Sequence, residues 1–269
     1  MHLADPKFPP AYTGHGVTAP LVPRDVALRG ASAGDLGAAD IVWARRVDRV
    51  ELAIVLEPDV PPDRLGEVRV LLQTALIDCL GALMPSQTAI QIGWPDAILC
   101  NGAKVGETIV IGAPPDANGA VAWCVAGLRL TMTRDLRGLE PGLVRDETSL
   151  HEEDGGELDR TIVLQSLSAH FLNAVHGWES DGIRPFIERW IGRVLGYEAP
   201  ADMRDTRTTG ASLIRGRVSG VDDTLALMVT PDAASPSGSG LVRLPSPIGL
   251  HGAGGAANDG AAKDGGAAP

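Results

Sequence analysis

The chain has 269 residues, 44% of them hydrophobic, and a formal net charge of −11, so it is long enough to form a substantial core. The acidic excess and the lack of a dense basic run argue against nucleic acid as a main partner. No apolar run reaches the ~18 residues of a membrane span, and the N-terminus shows no secretory signal. Because Cys79, Cys100 and Cys124 show neither zinc-binding nor CxxC spacing, we expect a reduced, cytoplasmic protein.

The first part of the chain changes from proline-rich sequence to alternating strand and helix patterns. Five prolines in residues 1–24 predict an extended leader. Apolar runs at residues 41–43 and 50–56 predict strands. Apolar residues at helical spacing after Pro61-Pro62 then predict a helix that ends at Pro85.

The middle of the chain is typical of antiparallel strands. Residues 89–93, 97–100 and 108–111 predict short strands, and Asn101-Gly102 predicts a tight hairpin turn because both residues accept a positive φ. The long apolar run at residues 120–133 predicts a central strand. The polar, acidic segment that follows, residues 136–156, predicts a loop.

The last part of the chain predicts two helices and then a small β module. The first helix covers about residues 159–178 with Asp159 as its N-cap, and the second covers residues 183–195. Short β-like segments then alternate with glycine, aspartate, serine and proline. The predicted organisation of this α+β chain is a leader (1–24), a main domain (25–197), a small β domain (198–248) and a disordered Gly/Ala tail (249–269).

Two patterns in the sequence match functional signatures only superficially. Residues 30–34 spell the Gly-x-Ser-x-Gly pattern of hydrolases, but too few residues precede them to supply the required strands, and no helix pattern follows. Acidic residues cluster within 146–157, where a solvated loop is the favoured interpretation over a cation site. Neither pattern therefore predicts an active site.

An arginine cluster follows the first predicted strand of the main domain. Arg45, Arg46 and Arg49 lie where guanidinium groups can grip a carboxylate or phosphate through paired hydrogen bonds. An exposed ion-pair cluster with Asp48 and Glu51 explains the same residues equally well. The sequence leaves both interpretations open.

The most specific segment spans residues 93–106 and begins with a Trp-Pro-Asp corner that leads into the predicted hairpin. Lys104 follows the turn and is the only lysine outside the predicted leader and tail. Its ammonium can neutralise a bound carboxylate or phosphate, Asp96 can hold Mg²⁺, and Gly106 can let a ligand approach the backbone. The alternative is a hairpin that carries an ordinary surface lysine.

At this segment the chain resembles the biotin and lipoate protein ligases, and the resemblance extends over about residues 25–248. Trp94-Pro95 matches the family's Trp-Pro, Lys104 its adenylate-contacting lysine and Gly106 the glycine after that lysine. The aromatic pattern of the late helices and the small β module are also similar. Four features depart from the family: its Gly-Arg-Gly-Arg-Arg-Gly loop is missing, Gly93 replaces the basic residue before Trp-Pro, Asp96-Ala97 replaces its Asn-Asp pair, and Ala126–Leu130 replaces its Gly-Ile-Gly-Ile-Asn strand.

The resemblance implies a mixed β-sheet with packed helices, similar to class II synthetases, and a small C-terminal β module. It also implies ATP- and Mg²⁺-dependent activation of a small carboxylic acid (biotin, lipoate or octanoate) as an acyl-adenylate. The acyl group would then pass to a lysine of a biotinyl or lipoyl carrier domain, and a homodimer is compatible with the family. A degenerate ligase fold that binds a cofactor or carrier domain without adenylation is the alternative.

The resemblance also assigns roles to individual residues. Lys104 would be the catalytic residue, because its charge would stabilise the phosphoryl group and the carboxylate. Asp96 would be the metal ligand. The residues implied to contact the substrate or the adenylate are Trp43, Arg45, Arg46, Trp94, Asp96, Gly102 and Gly106.

Overall fold

The structure of the protein is a computed structural model. It describes residues 4–136, 138, 144–208, 212–232 and 240–251. In chain order the strands within these residues are β1 (Thr13–Val17), β2 (Asp40–Ala44), β3 (Arg49–Leu56), β4 (Ile90–Gly93), β5 (Ala97–Cys100), β6 (Ala103–Gly112), β7 (Cys124–Thr131), β8 (Ala201–Arg204), β9 (Leu213–Val221), β10 (Leu227–Pro231), β11 (Val242–Leu244) and β12 (Gly249–Leu250). The α-helices are α1 (Pro23–Ala33), α2 (Leu65–Leu83), α3 (Arg160–Asp181) and α4 (Arg184–Ile191), and a 3-10 turn at Pro62–Arg64 precedes α2.

The larger sheet is mixed and forms the centre of the molecule. Its strand order is β1-β2-β3-β7-β6-β5-β4, with β12 beside β6. The β1–β2 and β12–β6 pairs are parallel, and the other pairs are antiparallel. The predicted central strand is β7, between β3 and β6, and the Asn101-Gly102 turn joins β5 to β6 with positive φ at both residues, as predicted.

Helices cover the two faces of the larger sheet unequally. On one face α1 packs Ala27, Leu28 and Ala31 against Ala53 and its neighbours in β2, β3 and β7. On the other face α2, α3 and α4 form the main core. Since α2 lies between the sheet and α3, it is buried on nearly every side, which explains its almost continuous apolar sequence. α1 covers only part of its face of the sheet, and the rest of that face forms the floor of a cleft.

The smaller sheet is antiparallel, with strand order β11-β10-β9-β8, and shares its core with the main domain. Leu225 of this module lies against Gly66 of α2, where an added Cβ would be 3.5 Å from the leucine side chain. Arg69 of α2 donates hydrogen bonds to Ser246 and to the carbonyl of Pro247 in the segment after β11. The predicted fold class, a mixed sheet with packed helices and a small C-terminal β module, is therefore confirmed.

Several local expectations differ from the structure. Residues 1–24 are not only an extended leader, because they contain β1, and α1 begins at Pro23. Residues 30–34 lie in α1 and at its C-cap, Gly34, so no strand-to-helix nucleophile turn is present there. β8 was not predicted, and the second late helix, expected over residues 183–195, ends at Ile191. The first residues of the predicted tail form β12. The rest of that tail, from residue 252, lies outside the described residues.

Two further expectations concern the cysteines and the membrane. Cys79, Cys100 and Cys124 are buried and unpaired. Burial raises the pKa of the Cys79 thiol to about 11 and the pKa values of Cys100 and Cys124 to about 12. In the parts of the chain that the structure describes, none of the helices combines the length and apolar character needed to cross a bilayer.

Candidate active site

The Trp-Pro-Asp corner is anchored to the core by one buried glutamine. Gln73 of α2 is fully buried and donates to the Pro95 carbonyl and to the Thr108 hydroxyl, both at 3.0 Å. Its own carbonyl accepts from the indole N–H of Trp190 at 2.8 Å. Trp94 packs edge-on against Trp190 with ring centroids 6.3 Å apart. Trp94 therefore fills the core, and the corner turns Asp96 towards the opposite face of the sheet.

A β-bulge in β6 brings two charged side chains to the same face. In the β5–β6 pair, Ile98 lies opposite Gly106 and Leu99 opposite Lys104, so Val105 has no partner in the register. Residues three apart in a regular strand point to opposite faces, but one extra residue restores a shared face. Lys104 and Glu107 consequently project together on the open face.

Glu107 lies between two cations on that face. Its Oε2 is 2.7 Å from the Lys104 ammonium, and its Oε1 is 3.0 Å from a guanidinium nitrogen of Arg129 on β7. Burial alone would raise the pKa of Glu107, but the hydrogen bond and charge of Lys104 and the charges of Arg129 and Arg24 leave it below its usual value. The carboxylate is thus ionised at neutral pH and pairs with both cations, which together still carry one positive charge in excess.

A cleft of about 690 Å³ opens over this part of the sheet. Five arginines and three acidic residues line it together with apolar side chains, although the chain as a whole carries an excess of acidic residues. Arg24 comes from α1, Arg129 from β7 and Arg204 from β8 of the smaller sheet. The remaining charged lining residues are Arg46, Arg49, Glu51, Asp96 and Glu107. Such a concentration of guanidinium groups suits a ligand that carries a carboxylate or phosphate.

Asp96 faces this cleft without a direct ion pair to any residue that the structure describes. Burial raises the pKa of Asp96, and the charges of Arg69, Lys104 and Arg204 only partly oppose that effect. Arg69 is itself 4% exposed, and burial lowers the pKa of its guanidinium to about 10. Asp96 is therefore a desolvated carboxyl group that a ligand or a cation can approach.

A second cleft of about 580 Å³ lies beside the first and shares Arg49, Glu107 and Arg129 with it. Lys104 lines this second cleft, as does Arg134, which pairs with Glu152 at 2.7 Å. The row from Arg49 across Arg129 to Glu107 is thus the common floor of both clefts. A ligand that contacts this row can extend into either cleft.

The structure separates Trp43 and Arg45 from these clefts. Trp43 is 2% exposed and belongs to the core on the opposite face, where the guanidiniums of Arg45 and Arg160 lie 5.0 and 4.9 Å from its ring centroid. Arg45 makes two hydrogen bonds to Asp5 of the N-terminal segment, at 2.7 and 3.1 Å. Both side chains hold that segment in place and do not line the clefts.

Arg46 does line the larger cleft, but a neighbouring acid holds it. Asp48 accepts two hydrogen bonds from Arg46 at 2.9 Å and one from Arg49 at 3.1 Å. Hydrogen bonds from Arg46 lower the pKa of Asp48 to about 2, since together with the charge of Arg49 they outweigh the effect of burial. Of the two interpretations left open by the sequence, the ion-pair cluster describes Arg46 and Arg49, and both guanidiniums still face the cleft.

The two glycines of the segment have structural explanations. Gly102 has φ +88° in the hairpin turn, with open space around its position. At Gly106 an added Cβ would lie 2.2 Å from the backbone oxygen of Arg129, so close packing of β6 against β7 requires glycine there. Their implied contacts with an adenylate stay predictions.

The acidic loop predicted over residues 136–156, of which 136, 138 and 144–156 are described, is tied to the hairpin. Glu153 accepts hydrogen bonds from Asn101 at 2.6 Å and from Thr148 at 2.7 Å. Within the described ranges no group of three or more His, Cys, Asp or Glu side chains is arranged to hold a metal ion. Thr148, Ser149 and Leu150 of this segment are buried, so part of the predicted loop packs against the protein.

Sequence reasoning missed half of the charged groups in the larger cleft. Arg24, Glu107, Arg129 and Arg204 come from four separate elements. Only Glu107 had a local signal, because it lies three residues after Lys104 on a strand whose glycine, Gly106, makes a bulge plausible. The other contacts depend on which strands pair and on the position of the smaller sheet.

Comparison with known proteins gives a consistent assignment. The model of the biotin/lipoate A/B protein ligase family matches residues 8–192. A biotin–[acetyl-CoA-carboxylase] ligase of Paracoccus denitrificans is 26% identical over 70% of this chain and 76% of its own length. The bifunctional ligase/repressor BirA of Bacillus spizizenii is 25% identical, again over 70% of this chain, and the match spans 56% of that protein.

A solved structure extends the similarity beyond the family model. A biotin protein ligase-like protein of unknown function from Silicibacter sp. TM1040 superposes with a TM-score of 0.72 and 25% identity, and the match covers 88% of this chain and 96% of that one. A match over 88% of this chain extends beyond the residues 8–192 that the family model matches. The chain belongs to the biotin/lipoate A/B protein ligase family.

Proposed function

We propose that the protein activates a small carboxylic acid with ATP as an acyl-adenylate and transfers the acyl group to a lysine of a carrier protein. The observation that carries this proposal is the position of Lys104. The lysine that matches the family's adenylate-contacting residue projects, because of the β6 bulge, into the smaller of two arginine-lined clefts, where its ammonium contacts Glu107 of the floor that both clefts share. A biotin, lipoate or octanoate carboxylate and an ATP α-phosphate would meet there.

In the first step the carboxylate of the acid attacks the α-phosphorus of ATP, and pyrophosphate leaves. Lys104 and Arg129 would stabilise the negative charge that builds up on the phosphoryl oxygens. Arg49 lies next to them on the same floor and would orient the phosphates. In the second step the amine of the carrier lysine attacks the acyl carbonyl, and AMP leaves.

Asp96 would contact a magnesium ion in this arrangement. Mg²⁺ in nucleotide sites is held by one or two carboxylates together with the substrate's phosphates. Asp96 is a single desolvated carboxyl group that faces the cleft without a direct ion pair to a described residue, which fits such a site. When bound, the ion would neutralise phosphate charge.

The apolar part of the acid has a surface to contact in the larger cleft. Ile109 of β6 lines its floor, and the exposed side chains of Leu21 and Val22 line it from the segment before α1. Burial of an acyl chain or ring against these residues would contribute about 25 cal/mol for each Å² of apolar surface removed from water. The cleft therefore offers both an anion-binding and an apolar part.

Acid-dependent pyrophosphate exchange tests the proposal. The purified protein is incubated with ATP, Mg²⁺ and labelled pyrophosphate, and with biotin, lipoate or octanoate in turn. Incorporation of label into ATP that requires one of the acids would support adenylation and would identify the acid. Failure of all three acids, with a functional biotin protein ligase as the positive control, would contradict this function for those substrates.

A second candidate function is binding without adenylation. Glu107 already pairs with Lys104 and Arg129, Asp48 holds Arg46, and Arg45 lies on the far side of the sheet. These pairings favour a protein that binds an acid, nucleotide or carrier domain but does not form the adenylate. A rise in melting temperature with one of these ligands, in the absence of exchange, would distinguish this function.

The remaining expectations from the sequence belong to the same proposal. The carrier partner would be a biotinyl or lipoyl domain that presents its lysine at the mouth of the cleft. A cytoplasmic location and a homodimer stay predictions, which fractionation and light scattering of the purified protein would check.

A further inference from the structure

The two carboxylate oxygens of Glu107 make different contacts in the cleft. One oxygen accepts from the Lys104 ammonium at 2.7 Å, and the other accepts from the Arg129 guanidinium at 3.0 Å. A ligand carboxylate or phosphate that bound the same two cations would place its oxygens at similar positions. The side chain of Glu107 therefore occupies the place that the ligand's anionic group needs.

The bulge in β6 makes this contact possible. Without Val105 as an unpaired residue, Lys104 and Glu107 would project from opposite faces and could not meet. The β6–β7 register places Glu107 directly opposite Arg129, and the β3–β7 register places Glu51 on the other side of Arg129. Arg129 thus lies between two acids, whereas the Lys104 ammonium pairs with Glu107 and, within the described residues, makes no ion pair with Glu51.

We propose that Glu107 acts as an internal competitor for the ligand's oxyanion and thereby determines which anions bind in the cleft. In the free protein its carboxylate holds Lys104 and Arg129. A phosphate or carboxylate of the ligand binds these cations by displacing it. Glu107 has this role only if the cleft is the ligand site, as the proposed function requires, but the role does not depend on adenylation.

Displacement favours one class of ligand. A phosphate monoester carries more negative charge than a single carboxylate, so it competes better with Glu107 for the same cations. A monoacid alone binds weakly because it only replaces one carboxylate with another. The cleft is accordingly selective for a phosphate-bearing ligand such as a nucleotide.

Calorimetric titration with AMP and with adenosine tests this role. Glu107→Gln removes the competing charge while keeping the size of the side chain. The variant should bind AMP about three- to thirtyfold more tightly than the natural protein at the same ionic strength, and adenosine should bind equally to both. An unchanged or weaker affinity for AMP, or an equal gain for adenosine, would overturn the proposal.

Glu51→Gln is the matched control. Glu51 neighbours Arg129 from β3 and lines the same cleft, but within the described residues it makes no ion pair with Lys104. Loss of its charge should raise the AMP affinity less than the change at Glu107, because only the field in the cleft changes. Equal gains from the two variants would show a general charge effect and would contradict displacement.

A crystal structure of the natural protein with AMP provides a second readout, which matters if Glu107→Gln is poorly folded. Displacement requires the AMP phosphate on Lys104 and Arg129, with the Glu107 carboxylate more than about 4 Å from the ammonium. AMP elsewhere, no AMP in the cleft, or an intact Lys104–Glu107 pair would overturn the proposal. If exchange fails with every acid but Glu107→Gln still tightens AMP binding, the proposed function fails and this role of Glu107 stands.

Discussion

The two faces of the larger sheet use the same strands for opposite purposes. On the face covered by α2, α3 and α4, most buried side chains are apolar, and the buried amide of Gln73 has its hydrogen bonds satisfied within the core. On the cleft face, charged side chains such as Glu107 and Asp96 remain partly open to solvent. A short stretch of sequence serves both, since Trp94 enters the core and Asp96 turns to the cleft.

This difference separates stability from function within one segment. On the core face, burial of apolar surface and hydrogen bonding of buried polar groups contribute to the free energy of folding. Substitutions that change the shape of a buried side chain disrupt both. On the cleft face, exposed ion pairs contribute little to folding but hold the charges that a ligand meets. Substitutions on the two faces should therefore affect different measurements, and the following predictions test that separation.

The largest effect on stability is expected at Trp190, which is 1% exposed and packs against Trp94. Trp190→Ala should lower the free energy of unfolding by about 3–5 kcal/mol, because it opens a cavity and leaves the Gln73 carbonyl without its donor. Urea unfolding followed by circular dichroism measures the change. Trp123→Ala, at a partly exposed site beside His251, should cost clearly less. Equal losses would contradict the importance assigned to the core face.

The next effect concerns catalysis rather than folding. Lys104→Ala should reduce acid-dependent pyrophosphate exchange about 10²- to 10³-fold if the protein forms an adenylate, the usual effect of losing one preorganised cationic or hydrogen-bonding group. The free energy of unfolding should change by less than about 1 kcal/mol, because the Lys104–Glu107 pair is partly exposed.

Lys7→Ala is the control for the change at Lys104. Lys7 lies in the N-terminal segment against α3, where its backbone N–H donates to Gln165, far from the cleft floor. Its substitution should leave the exchange rate unchanged. Exchange that survives Lys104→Ala at the natural rate would remove Lys104 from the proposed chemistry.

Gln73 should link the two faces, with an intermediate effect. Gln73→Leu should lower the free energy of unfolding by about 1–3 kcal/mol, because the Trp190 N–H and the Pro95 carbonyl lose their partner in the core. Since the same glutamine fixes the corner before Asp96, exchange should also fall in the folded fraction. Gln91→Leu, at a partly exposed site on β4, should change stability by no more than about 0.5 kcal/mol.

Chemical denaturation and exchange assays of the Gln73 variant check the link. Lower stability with unchanged exchange would show that the corner keeps Asp96 in place without this hydrogen-bond network, and the coupling of the two faces would then be wrong.

The two faces of the sheet also differ in how much of their structure can be predicted from the sequence. The strands from β2 to β7, the helix α2 and the Asp159 cap were predictable because apolar periodicity and turn residues are local signals. The helix α1 was not, since its buried surface is mainly alanine and proline with one leucine, so no apolar stripe marks it. The signals that were present are Pro23 at its start and Gly34 at its end.

The residues that line the clefts could be predicted from the sequence only in part. Lys104, Asp96 and Arg46 were proposed from the sequence and do line the two clefts, whereas Trp43 and Arg45 lie on the other face. The face of a side chain near a strand end depends on one residue of register, and the sequence does not fix it. Arg204 comes from β8, so its approach depends on how the smaller sheet docks.

The smallest expected effect is the pH dependence of the Arg46–Asp48 pair at the edge of the cleft. The hydrogen bonds from Arg46 lower the pKa of Asp48 in the folded protein to about 2, below its ordinary unfolded value of about 3.9. A lowered folded pKa stabilises the protein above the unfolded pKa, and this contribution disappears as the pH falls from about 4 towards 2.

Asp48→Asn should therefore destabilise the protein at pH 7 by less than about 1 kcal/mol, because the carboxylate is about one-third exposed and water screens it. In urea unfolding the difference between the two proteins should shrink as the pH approaches 2, while a difference that stays constant over this range would show that the Asp48 charge contributes nothing to folding. Asp202→Asn, at an exposed pair with Arg215 in the smaller sheet, is the control that removes a carboxylate without touching the cleft.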